Sequence, residues 1–432
     1  LEEGKIGQAL KVLDQDSAKL AQVVESYLGV QQLEGQQVLR LPYYRPLSML
    51  NPEKPVRRSE QHIARQIFSG LTRLDDSEKL CPDLAHTWEM LSPQHWRFYL
   101  RPNVRFHNGD LLTTDMVVNS LLALKSKNLY SHIEDVVSPG RCVVDVTLRK
   151  NNYHLPLLLS ESDAKVLLPE NSRAEDYDIN PVGTGPYKVI QNDDKRLVLQ
   201  AFDGYFGFRP LMDRVEVWVI DDIHSSMVFP SMTNPIKPET GTYSDEVELD
   251  PGCTYLLLNR SSGLAKSDEW ANYFSHRLGS LNLYQELPQE KIVELGVLPA
   301  HGLKPGWYHH TRQGHYTSPP SYRKVTIAYH GQHPMFPTLV KCIESLLKQD
   351  NLEVELIKYD ITLPDIDDVD IWVKPMGIAN NREDGLAGWL LNYSDIEQLS
   401  KPEDFKYWSS LVEVWQAEEN SVFPAKDLGK SL

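Results

Sequence analysis

The pattern that most constrains this chain lies near its C-terminal end, where a strand, a helix and a second strand follow one another. KVTIAYH (324–330) is a short apolar run rich in β-branched residues. Leu339, Ile343 and Leu346 then mark one face of a helix over 337–349, and LEVELIK (352–358) is the second run. A helical crossover of this length suits two parallel neighbours joined by a right-handed connection. VDIWV (369–373) supplies a further strand. This part of the chain is expected to fold as an α/β lobe.

Upstream, strands and hairpins dominate. VLRLPYYRPLSMLNP (38–52) begins as a strand and breaks at Pro46 and Pro52. SEQHIARQIFSGL (59–71) predicts a helix capped by Ser59, with Ile63, Ile67, Phe68 and Leu71 buried. HWRFYLRPNVRFHNGD (95–110) predicts a hairpin in which Trp96, Phe98 and Leu100 alternate, the chain turns at Pro102–Asn103, and Val104 and Phe106 resume. TTDMVVNSLLAL (113–124) predicts a helix capped by Thr113 or Thr114, while CVVDVTLRK, YKVIQNDDKRLVLQAF and DRVEVWVI predict strands. Residues 4–29 predict two amphipathic helices, and 221–250 a polar linker. A chain of 432 residues is too long for a single core, so two lobes are expected, with a ligand cleft between them.

The net charge of −16 makes the chain itself a poor partner for nucleic acid. Its longest greasy run, LPLLLS (155–160), falls far short of a membrane span. Cys81, Cys142, Cys253 and Cys342 form no close pair, which argues against a zinc site and for buried, reduced thiols.

NPVGTGPY (180–187) places two glycines and a proline within four positions. Pro186 and the strand-like YKVI that follows deny it the helix start a phosphate loop needs, so a tight structural corner is expected. His309, His310 and His315 lie in a loop-like stretch, and DIDDVD (365–370) lacks the Gly and Glu of a calcium loop. No hydrolase, metalloprotease or lactamase motif is present, and no catalytic role, metal or cofactor is assigned. In YYRP (43–46) and VRRSE (56–60), tyrosine faces and arginine forks offer stacking and anion binding; rim packing and surface ion pairs account for the same residues equally well.

Residues 67–121 carry a larger pattern: Gly70-Leu71, Pro82-Asp83-Leu84-Ala85, Trp88, Trp96, Phe98, Leu100-Arg101, Val104, Phe106, Gly109 and Asp115. NPVGTGPYKV, FDGYFG (202–207) and LMDRVEVWVI extend it. Together these resemble the bacterial solute-binding proteins of family 5. The phrases QVLRLPYYRPL, RRSEQHIARQIFSGLTR, LYSHIEDVVSP and DIWV narrow the resemblance to the C-terminal domain of SgrR-type transcriptional regulators.

The resemblance implies an α/β fold of the periplasmic-binding-protein type II kind, with two hinged lobes, an extra subdomain and a short helical connector in front. The implied segments are a connector over 1–36 to an upstream DNA-binding domain, lobe I over 37–58 and 180–250, the extra subdomain over 59–179, lobe II over 251–405, and an incomplete return toward lobe I over 406–432. The implied function is binding of a small effector of sugar-phosphate stress by lobe closure, in the cytoplasm, with DNA contacted only through the upstream domain and no membrane partner. Tyr43, Tyr44, Arg45, Arg57, Arg58 and Lys374 are the expected ligand contacts, suited to an anionic or sugar-like molecule. Peptide binders of the family carry an aspartate where IWVKPMG has Lys374, which speaks against peptide capture by that route. The rival is a periplasmic substrate-binding protein of an importer for peptides or oligosaccharides.

Overall fold

A computed structural model describes residues 27–54, 57–220, 252–303, 318–360, 363–377, 382–392 and 394–431. The expected helices before residue 27, the expected linker over 221–250 and the histidines at 309, 310 and 315 lie outside the described residues. The chain divides into two compact units, one of Leu1–Ser126 with Tyr130–Ser244, the other of Lys127–Leu129 with Asp245–Leu432. The tail beyond 405, expected to turn back toward the first lobe, thus groups with the second unit.

In the first unit, β1 (Gly29–Leu33) and β2 (Gln36–Tyr43) form a hairpin. Glu34 and Gly35 at its tip both take positive φ, the backbone that lets a two-residue turn follow the strand twist. Helix α1 (Arg58–Ile67) follows. The short pair β3 (Thr72–Leu74) and β4 (Leu80–Pro82) leads into β5 (Ala85–Ser92) and β6 (His95–Leu100). Helix α2 (Thr114–Ala123) precedes β7 (Ile133–Gly140) and β8 (Val143–Leu148). The last strands are β9 (Tyr187–Asn192), β10 (Arg196–Ala201) and β11 (Arg214–Val219). One sheet runs β1-β2-β11-β10-β9, with β2 and β11 parallel; the other runs β5-β6-β8-β7, antiparallel throughout.

The 95–110 hairpin does not form as expected. β6 pairs with β5 and β8, and Arg105 makes only an isolated bridge to Leu111. Asn103, with φ of 59°, ends the extended run, and Val104 and Phe106 bury themselves outside any sheet. Helix α1, expected within the extra subdomain, shares its core with the five-stranded sheet: Ala64, Ile67 and Phe68 pack with Leu197, Leu199 and Val217. Its apolar positions recur at helical spacing and fall on the face turned to that sheet. Thr113 caps α2, its Oγ1 accepting from the Met116 N–H at 3.3 Å.

The second unit is built on β12 (Cys253–Leu258), β13 (Lys324–His330), β14 (Glu353–Tyr359) and β15 (Ile371–Met376), in the order β12-β15-β13-β14. β13 is parallel to both β14 and β15, while β12 runs against β15. Helix α3 (Asp268–Arg277) and the crossover helix α4 (Phe336–Gln349) cover one face, burying Val325, Ile327, Ile371 and Val373 with Phe274, Phe336 and Ile343. The opposite face buries Ala328 and Trp372 against Leu399 of α5 (Ser394–Leu399). All four cysteines are free thiols, but only Cys342 is buried; the other three, expected inside, are half-buried. Among the described residues no helix is long and apolar enough to cross a membrane.

Candidate functional site

In the first unit the expected contact residues gather where β2 ends and α1 begins. Alternation along β2 turns Tyr43 to the side of the sheet that α1 covers. The Tyr43 and Tyr44 ring centroids lie 4.7 Å apart at 42°, with the Arg45 guanidinium 5.5 and 5.7 Å from their centres. Arg45 is only 5% exposed and Glu60, in the first turn of α1, 2%. The two form a forked ion pair, in which Arg45 Nη2 donates to Glu60 Oε2 at 2.9 Å and Nη1 donates to Oε1; Nη1 also donates to the Pro46 carbonyl at 3.0 Å. Burial alone would disfavour the guanidinium charge; Glu60 outweighs it and raises the Arg45 pKa. Ser59, expected to cap α1, instead shares a hydrogen bond with the Tyr43 hydroxyl, and the cap position falls to Arg57 without a side-chain bond. Burial is the main cause that lifts Tyr43 to about 12. Arg57 is half-buried and Arg58 exposed. Burial and the neighbouring Arg45 charge both lower the Arg57 pKa.

The GTGPY corner lies under the same helix. Gly185 N donates to the Ile67 carbonyl at 2.8 Å, and a Cβ on Gly183 would stand 2.1 Å from that oxygen. His107 clamps the turn from the other side. Its Nδ1 accepts from Gly183 N at 3.2 Å and its Nε2 donates to the Gly185 carbonyl at 3.0 Å, so the neutral ring is satisfied at both nitrogens. Burial pushes its pKa down to about 4. The motif is a structural corner in which only glycine allows the close backbone approach.

In the second unit Lys374 lies at the carboxyl end of β15. Side chains two apart share a strand face, so Lys374 lies beside Trp372, its Nζ 4.8 Å from that ring and 5.8 Å from the ring of Tyr359 at the end of β14. His330, ending β13, meets Tyr359 edge-on at 5.6 Å. Lys374 Nζ pairs with Asp395 Oδ2 at 2.8 Å. Trp372 is 2% exposed, and its Nε1 has no hydrogen-bond partner among the described residues. The cluster thus occupies the carboxyl ends of three parallel strands, where open α/β sheets hold their ligands.

Five of the six expected contact residues therefore gather in one unit, and Lys374 lies in the other. Sequence reasoning missed the carboxylates: Glu60 and Asp395 neutralise Arg45 and Lys374. Asp83, which the sequence singled out only as part of the family pattern, and Lys165, which it did not, are both buried in the first unit. Asp83 accepts from Gly70 N at 3.0 Å, and burial pushes its pKa up to about 6; Lys165 donates to the Ser160 carbonyl at 3.2 Å, and burial lowers its pKa. No three His, Cys, Asp or Glu side chains converge as a metal site among the described residues.

Residues 79–228 match the family model for the bacterial extracellular solute-binding proteins, family 5 middle region. The HTH-type transcriptional regulators SgrR of Shigella flexneri and of Escherichia coli O157:H7 are 37% identical over 377 residues, covering 86% of this chain and 67% of theirs. The murein tripeptide binding protein MppA of Escherichia coli superposes with a TM-score of 0.70 at 15% identity, over 93% of this chain and 90% of that one. OppA of Burkholderia pseudomallei gives 0.68 at 16%, over 92% and 91%. The fold is that of the periplasmic binding proteins of type II.

Proposed function

We propose, from the premise that this chain belongs to the SgrR-type transcriptional regulators and carries their family 5 solute-binding domain, that it is the part of such a regulator that senses a small molecule. The similarity to regulators named as HTH-type carries this reading, because it joins a solute-binding fold to control of transcription. DNA contact would fall to a domain outside this chain, which suits a surface with a net charge of −16. The chain would bind rather than transform its ligand, and would act in the cytoplasm.

Tyr43, Tyr44, Arg57 and Arg58 in one unit and Lys374 in the other are the proposed contacts, with Arg45 holding the tyrosine cluster through Glu60. A ligand that binds one conformation better than another shifts the population by that difference in affinity, and coupling of a few kcal/mol is enough to change an attached domain. The effector is proposed as a metabolite of sugar-phosphate stress, anionic or sugar-like.

The purified chain tests this reading directly. Native mass spectrometry should find a retained small molecule, and adding it back to stripped protein should reduce the radius of gyration in solution scattering. In the full-length regulator the same molecule should alter DNA binding. A ligand that is chemically converted on incubation, or a full-length protein whose DNA binding responds to no retained molecule, refutes the proposal.

A further inference from the structure

The expected cations differ from free anion receptors in one respect. Arg45 is already neutralised by Glu60 and Lys374 by Asp395, each from the same unit. An incoming anion would have to displace a carboxylate already seated on its cation, leaving that acid in a shielded position without a partner. A neutral hydroxylated molecule meets no such obstacle. The carboxylate accepts an O–H, the ammonium donates to another oxygen, and the pair stays intact.

The surroundings in the second unit suit the same chemistry. Trp372, Tyr359 and His330 form a contiguous aromatic group beside the ion pair. Aromatic faces pack well against the apolar C–H face of a sugar ring, while its hydroxyls need polar partners. Trp372 itself is only 2% exposed and packs on Leu399, so the half-buried rings of Tyr359 and His330 are the faces a ligand can meet. The exposed or half-buried cations Arg57 and Arg58 lie in the other unit and already engage in further contacts.

We infer that the carboxyl ends of β13, β14 and β15 form a subsite for a neutral, polyhydroxylated ring rather than for an anionic group. This rests on the effector-binding reading above and narrows it. The test uses the whole chain, with thermal shift and tryptophan fluorescence as readouts, and glucose, maltose, cellobiose and inorganic phosphate as probes across a sodium chloride series. At least one neutral sugar should bind, with an affinity indifferent to salt, because no net charge is neutralised. Asp395→Asn should weaken that sugar about tenfold and create a response to phosphate that fades with salt, since Lys374 then lacks its counter-charge. Lys374→Gln should weaken the sugar without creating a phosphate response. Circular dichroism confirms that both variants fold.

Salt-sensitive phosphate binding by the unaltered chain without sugar binding overturns the inference, as does Asp395→Asn with unchanged sugar affinity, or silence toward every sugar. A molecule retained in native mass spectrometry would keep the effector-binding reading standing even then, so the two failures are distinguishable.

Discussion

Replacing His107 by Gln isolates one titration in the corner that closes onto the five-stranded sheet. In the folded chain the His107 pKa falls to about 4, against an ordinary value near 6.5. A depressed pKa in the folded state means that the unfolded chain binds the proton first. Stability is therefore complete above the ordinary value and lost as pH falls through the folded one. From these two values the loss is about 2 kcal/mol at roughly pH 5 and about 3 kcal/mol near pH 4. Burial of the ring is the main cause, with the Lys188 charge adding to it; a proton on Nδ1 would in addition face the Gly183 N–H that this nitrogen now accepts.

Asp83 opposes this trend. Its pKa is raised to about 6, so the folded state takes up a proton more readily than the unfolded state and gains stability as pH falls. That gain is about 1 kcal/mol at roughly pH 5, which masks much of the histidine loss in the unaltered chain. Gln at position 107 offers a donor and an acceptor but no titration. Urea unfolding at about pH 7.5 and about pH 5 should therefore show the variant losing about 2 kcal/mol less than the parent on acidification. Equal acid losses in the two proteins would refute the buried-histidine argument.

Gly183→Ala should cost more than about 3 kcal/mol, because its Cβ would stand 2.1 Å from the Ile67 carbonyl, a backbone atom that cannot swing aside. Gly35→Ala, where nothing lies within 4 Å and only the positive φ is strained, should cost about 1 kcal/mol, and the two melting curves decide. Glu60→Gln should destabilise by about 3 kcal/mol or more by leaving the Arg45 charge buried alone. The double variant Arg45→Met with Glu60→Met should recover much of that loss in chemical denaturation, and no recovery would count against a charge-pair origin. Arg57→Gln should leave the melting point within about 1 °C yet weaken an effector identified by native mass spectrometry. Unchanged affinity would remove Arg57 from the site.

The sequence by itself determined the elements whose signals are local. The β13–α4–β14 crossover follows from β-branched runs flanking a stripe at helical spacing. The GTGPY corner follows from two glycines and a proline that deny a helix start, and the family from residues spread over both units. Tertiary structure alone decided the partners. Glu60 lies 15 residues from Arg45, and Asp395 21 residues from Lys374, with no periodicity to mark either. Ser59 looks like a helix cap in sequence but bonds Tyr43, because the strand end and the helix start converge there. The sequence likewise places Val104 and Phe106 in a hairpin that the left-handed Asn103 and the competing β5–β6 pairing displace. Local propensities fix what each segment can become. The charge state of a site depends on which carboxylate folding brings against which cation, and that is set by how a strand end packs against a separate helix, not by spacing along the chain.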